Sequence, residues 1–248
     1  MMIDAVLFLG AFIAGAQNAL AGGGSFITFP VLLYAGLDPR AANITSTIAL
    51  FPGQVTSALS GRGLVTGAAG LSVRTLFIIS LFGGAIGAVL LLATPVSVFV
   101  HLVPYLVLFA TAVFAWGSFF RRKRVAGERA ALSPIGAMAA QTAIAIYGGY
   151  FGGGIGILML AALTAAGLAV RHAGATKNFL AGVMNVAAVV IFVCRTHVDW
   201  VIVAIVAIGA ILGGQVGVFM LRRINETFLR VAITVIGLLL TIGLFVRA

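Results

Sequence analysis

The chain has 248 residues, of which 62% are hydrophobic and only 8% are charged, and its mean hydropathy is +1.22. Soluble proteins carry about 25% charged residues, so this composition excludes a water-soluble globular protein and predicts a chain solvated by lipid. The 15 Lys and Arg residues outnumber the 5 Asp and Glu residues. They stand at the ends of apolar segments, which indicates membrane orientation and not a nucleic-acid-binding face.

Polar residues divide the chain into apolar segments of about 20 residues, the length that crosses roughly 30 Å of hydrocarbon. Two further apolar segments, 25–36 and 155–168, follow Gly triplets and are too short to span a bilayer alone. The sequence therefore predicts an all-α integral membrane protein with eight spanning helices and two short, Gly-interrupted half-helices. The spanning segments are 2–21, 40–60, 74–93, 98–120, 134–151, 171–194, 199–221 and 227–247.

The sequence repeats itself after about 130 residues. The Gly triplet at 22–24 recurs at 152–154, and the Gly-Gly-x-x-Gly pattern at 83–87 recurs at 213–217. Such duplication of apolar segments with a break at the same place is typical of membrane transporters whose site lies between the repeats. We predict a first transmembrane repeat over 1–120, a cytoplasmic linker over 121–133 and a second repeat over 134–248.

The two short segments decide the relation between the repeats. If each continues the preceding helix across the bilayer, the repeats are parallel; if each folds back as a hairpin, the repeats are inverted. With the basic linker in the cytoplasm, the hairpin topology leaves only Arg40, Arg195 and Arg247 outside, apart from the intramembrane Lys177. The positive-inside rule therefore favours inverted repeats with both termini outside the cytoplasm.

Each Gly triplet is a candidate binding site. A break at membrane depth persists only where the backbone is buried in protein or lines a polar cavity, although glycines also permit close helix packing without binding anything. The helices after the breaks present unpaired N–H groups and partial positive charge, which together favour an anion. The predicted substrate-binding residues are Gln17, Asn18, Gly22, Gly23, Gly24, Ser25, Thr45, Ser46, Tyr147, Gly152, Gly153, Gly154, Thr176, Lys177 and Asn178.

Lys177 has two interpretations. An ammonium group in hydrocarbon costs roughly 2.5 to 3.5 kcal/mol, so it either binds substrate or extends to the membrane interface. The interface is near, because Lys177 follows Arg171 by six residues, about 9 Å along a helix. The sequence leaves both interpretations open.

The acidic residues lie at predicted helix ends or loops, which argues against a carboxylate proton relay or cation site and favours an anionic substrate. They are Asp4, Asp38, Glu128, Asp199 and Glu226. We find no spacing of metal ligands and no nucleophile–base pair, and the single Cys194 excludes an internal disulfide. We therefore predict no enzyme activity, no catalytic residue, no metal and no cofactor.

The sequence Ala-Gly-Gly-Gly-Ser-Phe-Ile-Thr-Phe-Pro over 21–30, with Ala-Ala-Asn-Ile-Thr-Ser over 41–46 and the repeated triplet at 152–154, resembles the TauE/SafE sulfite-exporter family. The resemblance covers essentially the whole chain. It implies a multi-pass protein of the bacterial inner membrane that moves a sulfur-containing anion such as sulfite, sulfoacetate or another organosulfonate. The second half departs from the first, because Lys177-Asn178 stands where Ser46-Thr47 stands.

Other functions stay open at this point. They are a carrier of a different anion or of a neutral metabolite, and a membrane protein that transports nothing. The expected partners are the small anion and the lipid bilayer, without nucleic acid. The sequence leaves open the direction of flux, any coupling ion and the oligomeric state, a homo-oligomer included.

Overall fold

The computed structural model describes residues 2–20, 23–120, 132–220 and 226–247. Gly22 and most of the predicted linker lie outside this part of the chain. The described residues form ten α-helices, whose positions agree with the ten predicted segments to within a few residues. They are α1 (Met2–Leu20), α2 (Ser25–Tyr34), α3 (Pro39–Ser60), α4 (Val73–Ala93), α5 (Val96–Ala115), α6 (Pro134–Tyr150), α7 (Ile155–Ala165), α8 (Val170–Arg195), α9 (Trp200–Met220) and α10 (Glu226–Arg247).

Side-chain caps fix the start of several helices. The Asp38 carboxylate accepts hydrogen bonds from two backbone N–H groups at the start of α3, at 3.0 and 3.1 Å. Ser72 and Ser133 accept from the backbone three residues later, both at 3.1 Å, at the starts of α4 and α6. These residue types are preferred as N-caps because they satisfy N–H groups that the helix itself cannot pair.

The distribution of polar and apolar side chains is that of a membrane protein. Phe82, Val201 and Leu239 are 63%, 68% and 63% exposed, whereas Gln141 and Ser80 are buried and hydrogen-bonded to each other at 2.8 Å. By length and composition, α4, α5 and α8 are apolar enough to cross a bilayer, and shorter apolar segments occur in α1, α2, α7, α9 and α10.

Helix α2 folds back beside α1. A Cβ on Gly10 would lie 2.6 Å from Val31 Cγ2, and a Cβ on Gly24 would lie 2.9 Å from the Ala14 carbonyl oxygen. Residue numbers therefore rise along α2 as they fall along α1. Gly23 and Gly24 thus lie at the tip of an antiparallel hairpin and not at a kink in one continuous helix.

Helix α7 folds back beside α6 in the same way. The Leu132 N–H, just before α6, donates to the carbonyl oxygen of Ala165 at the end of α7 at 3.2 Å. At the other end, a Cβ on Gly148 would lie 3.2 Å from Ile155 Cγ2. The second Gly triplet is therefore also a hairpin tip.

Helices α3 and α8 cross antiparallel. Asn185 Nδ2 donates to Gln54 Oε1 at 2.6 Å, and a Cβ on Gly182 would lie 3.7 Å from Ala58 Cβ. Residue numbers therefore rise along α3 as they fall along α8. This pair joins the last third of α3 to the middle of α8.

Glycine also brings the halves together at two other places. A Cβ on Gly87 of α4 would overlap the carbonyl oxygen of Ile146 in α6, and one on Gly213 of α9 would overlap that of Phe12 in α1. Helix backbones in a membrane approach this closely only through small residues. Each hairpin thus packs on a helix of the other half, α1 on α9 and α6 on α4.

Candidate functional site

The first hairpin tip is held by the polar side chains that precede it. Gly23 has a φ of +86°, a left-handed conformation that glycine adopts without strain. Gln17 Nε2 donates to the Gly23 carbonyl at 3.1 Å, and the Gly24 N–H lies 3.4 Å from Asn18 Oδ1, which accepts from it. Gln17 and Asn18 therefore stabilise the tip itself.

The first turn of α2 is also bonded within the protein. Thr28 Oγ1 lies 2.6 Å from Ser46 Oγ on α3 and donates to the Gly24 carbonyl at 3.3 Å. Thr28 and Ser46 are buried, as is the neighbouring Thr45. Ser25 begins α2, but the helix has no side-chain cap. The helix start predicted to bind an anion is thus largely occupied by its own polar neighbours.

The second hairpin tip also turns through left-handed glycines, but at different positions and without the same polar support. Gly152 and Gly154 have φ of +77° and +73°, and a Cβ on Gly153 would lie 2.6 Å from the Phe151 ring. Gly154 begins α7 with no side-chain cap. Within the described ranges, the Gly156 N–H has no acceptor. This helix start therefore presents open donors.

Lys177 extends from α8 to the first turn of α7. Its Nζ lies 3.7 Å from the point where a Cβ on Gly156 would stand. Gly156 is nine residues from the end of α7, about 13 Å along the helix, so the amine does not turn back toward the Arg171 end of α8. Lys177 is partly buried and, among the described residues, makes no hydrogen bond or ion pair. The amine thus lies beside the start of α7.

The two hairpin tips lie next to each other. The ring centroids of Phe29 in α2 and Phe151 at the second tip are 5.8 Å apart, and Asn43 Nδ2 of α3 donates to the Tyr150 carbonyl at 3.0 Å. Aromatic rings occupy the space between the tips, so the two helix starts are neighbours separated by an apolar contact. The sequence did not identify this aromatic barrier, because Phe in an apolar segment carries no signal of its own.

Tyr147 stands before the second tip at the position that Gln17 occupies before the first. Its ring packs on Phe109 and Phe151, with centroids 5.5 and 6.3 Å away. Its hydroxyl is buried and has no hydrogen-bond partner among the described residues. An unpaired buried hydroxyl is destabilising, and it is available to a ligand.

The remaining predicted residues have different surroundings. Thr176 is fully buried, and its Oγ1 accepts from the Thr66 N–H at 3.1 Å and donates to the Thr66 carbonyl at 3.2 Å. This hydroxyl fastens the connection between α3 and α4 and is not free for a substrate. Asn178 is partly buried beside Lys177. Sequence reasoning missed Gly156, whose signal lies in the repeat: it stands where the first half has Phe26.

The described residues contain no group of three or more His, Cys, Asp or Glu that could hold a metal ion. Apart from Gln17 and Asn18, which bond the first tip, the polar groups near the tips include the Lys177 ammonium group, the Tyr147 hydroxyl and backbone N–H groups, all of which can donate hydrogen bonds. Such a set suits an anionic or strongly electronegative ligand.

A family model described as sulfite exporter TauE/SafE matches residues 7–244. The chain belongs to the TauE/SafE family. The resemblance read from the Gly-rich motifs is therefore confirmed, and the TauE/SafE chain is a membrane protein of a transporter family.

Named relatives of this TauE/SafE protein carry general descriptions. A probable membrane transporter protein of Haemophilus influenzae is 27% identical and covers 96% of this chain and 92% of its own length. The probable membrane transporter protein ORF9 of Sinorhizobium sp is 32% identical, and the match covers 86% of this chain and 81% of that protein. The probable membrane transporter protein YfcA of Escherichia coli K12 is 27% identical, and the match covers 94% of this chain and 86% of that protein.

Proposed function

We propose that this protein transports a small sulfur-containing anion, such as sulfite, sulfoacetate or another organosulfonate, across the bacterial inner membrane by alternating access. The observation that carries the proposal is the Lys177 amine at the first turn of α7, where the described chain offers it no counter-ion. A charge kept in an apolar region without a partner normally serves a ligand or an ion pathway. An oxyanion would receive a charge-assisted bond from the amine and further bonds from the helix start.

The acidic residues support an anion as the substrate. Asp38 and Asp199 each cap a helix by accepting two backbone hydrogen bonds, and Asp4 lies in the first turn of α1. None of these three carboxylates lies at a hairpin tip. An unpaired ammonium group repels a cation and offers a neutral metabolite only a hydrogen bond, whereas an anion also gains the attraction of its charge.

Contacts between the halves support inverted repeats. Gln54 and Asn185 are equivalent positions at an offset of 131 in the sequence, and they hydrogen-bond to each other. Equivalent residues meet where the axis that relates the repeats passes, and the antiparallel crossing of α3 and α8 there requires an axis perpendicular to the helices. The folded-back α2 and α7 agree with the same topology, which places both termini outside and the basic linker inside.

Transport by purified protein in sealed vesicles tests the proposal. We expect time-dependent, saturable uptake of radiolabelled sulfite that unlabelled sulfoacetate reduces and acetate does not. Vesicles without protein are the control for leakage. Uptake that equals the leakage for every sulfur anion, or that acetate inhibits equally well, would contradict a carrier for sulfur oxyanions.

A further inference from the structure

We infer that the anion is bound by the second half alone, and that Gly156 is the residue that makes room for it. The inference rests on the proposed function, because it assigns that function's binding site to one of the two hairpin tips. It replaces the expectation from the sequence that both helix starts share the ligand.

Donors at the start of α2 are already satisfied. The Phe26 N–H donates to the Gly23 carbonyl at 3.0 Å, and the Gly24 N–H is met by Asn18 Oδ1. The Phe26 ring is buried and packs edge-on against Phe114 of α5, with ring centroids 5.8 Å apart. An anion approaching this helix start would have to displace the Asn18 side chain from the Gly24 N–H and also move a packed ring.

At the start of α7, the backbone N–H group at the position equivalent to Phe26 has no acceptor in the described chain. Gly156 stands at this position in the second half. The following residue, Ile157, bonds the Gly154 carbonyl at 3.1 Å as its equivalent does. The two helix starts therefore differ in the backbone N–H at Phe26 and Gly156, in the Asn18 bond to the Gly24 N–H and in the side chain at the position of Gly156.

The facing helices differ at the matching position. Ser46 of α3 faces the start of α2 and is bonded to Thr28, whereas its equivalent Lys177 of α8 places its amine beside Gly156. A neutral, internally bonded pair in one half thus corresponds to a cation and a vacant side-chain position in the other. Both changes favour an anion in the second half, because one adds charge and the other adds space.

Substitution of Gly156 by Ala tests the assignment. The added Cβ would lie 3.7 Å from Lys177 Nζ and 3.8 Å from Lys177 Cδ, ordinary contact distances that the fold tolerates, but it would fill the space beside the amine. Gly174→Ala is the matched control, because Gly174 is also helical and a Cβ there would meet nothing within 4 Å. Sulfite affinity is measured by titration calorimetry on detergent-purified protein, together with the melting temperature.

We expect Gly156→Ala to weaken sulfite binding at least tenfold and Gly174→Ala to change it less than twofold. Ser46→Ala tests the other half and does not depend on how Gly156→Ala folds. It should lower the melting temperature, because Thr28 loses its bond to Ser46, and leave sulfite affinity within twofold of the unmodified protein.

Two results would overturn the assignment of the site to the second half without contradicting the proposed transport function. One is a Gly156→Ala protein with normal melting and normal affinity, and the other is a Ser46→Ala protein whose affinity falls as far as that of Gly156→Ala. If the unmodified protein binds neither sulfite nor sulfoacetate, the proposed function fails, and the one-sided site fails with it.

Discussion

Replacing Lys177 with Gln removes a charge and keeps a hydrogen-bonding side chain of similar length. The amine lies at the first turn of α7, so an anion bound there would lose its charge-assisted partner. A hydrogen bond to a charged group contributes about 1.5 to 3 kcal/mol. Since about 1.4 kcal/mol is tenfold in affinity, we expect the dissociation constant for sulfite to rise roughly ten- to a hundredfold.

The same change should raise the stability of the protein without ligand. Lys177 has no counter-ion in the described chain, and an ammonium group in the bilayer centre costs roughly 2.5 to 3.5 kcal/mol. The gain should be well below that range, because Lys177 is only partly buried. Weaker binding combined with a higher melting temperature is the signature of a charge maintained for a ligand.

Calorimetry and thermal melting of one Lys177→Gln preparation measure both effects. Arg171→Gln is the matched control, since Arg171 is an exposed cation in the first turn of the same helix; its removal should change sulfite affinity less than twofold. Normal sulfite affinity with raised stability in Lys177→Gln would refute a binding role. A fall in affinity that Arg171→Gln reproduces would indicate long-range attraction and not a bound contact.

Cysteines introduced at Ala58 and Gly182 should form a disulfide, because their Cβ positions are 3.7 Å apart, close to the mean distance in disulfides. This disulfide should hold the two halves together after the linker is cleaved. The control is Ala58→Cys alone, which should form no disulfide with the native Cys194. Of two reporters fused after Ala248, only the one that works outside the cytoplasm should be active. Activity of the reporter that works in the cytoplasm would favour parallel repeats. Tyr147→Phe should raise the melting temperature by removing an unpaired buried hydroxyl, and a tenfold loss of sulfite affinity would identify that hydroxyl as a ligand donor.

The backbone breaks could be predicted from the sequence because glycine carries a conformational signal. Left-handed φ values at Gly23, Gly152 and Gly154 are ones that other residues rarely adopt, so a Gly triplet in an apolar segment indicates a break through its residue type alone. The direction of the chain after the break is different. The sequence favoured a hairpin only through the placement of its basic residues, whereas contacts such as that of Gly10 with Val31 show the direction itself.

The polar residues of the site were found, but their individual roles were not. The sequence grouped Ser46, Thr176 and Lys177 because all three are polar and follow a break. The structure separates them: Ser46 bonds Thr28, Thr176 bonds the Thr66 backbone, and Lys177 has no partner in the described chain. A hydroxyl has the same sequence signal whether it binds a ligand or a neighbouring helix, since the partner is distant along the chain.

The sequence by itself determined that this chain is a helical membrane protein of the TauE/SafE family. Apolar segment length, charge placement and Gly spacing are local properties, and solvation by lipid and backbone sterics depend on them directly. Charge placement favoured short helices that fold back, and their contacts in the tertiary structure agree. Only the tertiary structure decided that α3 and α8 cross antiparallel and that the Lys177 amine stands beside Gly156. These features depend on side chains that lie far apart in sequence, about 130 residues apart for Gln54 and Asn185, and packing between helices alone brings such residues together.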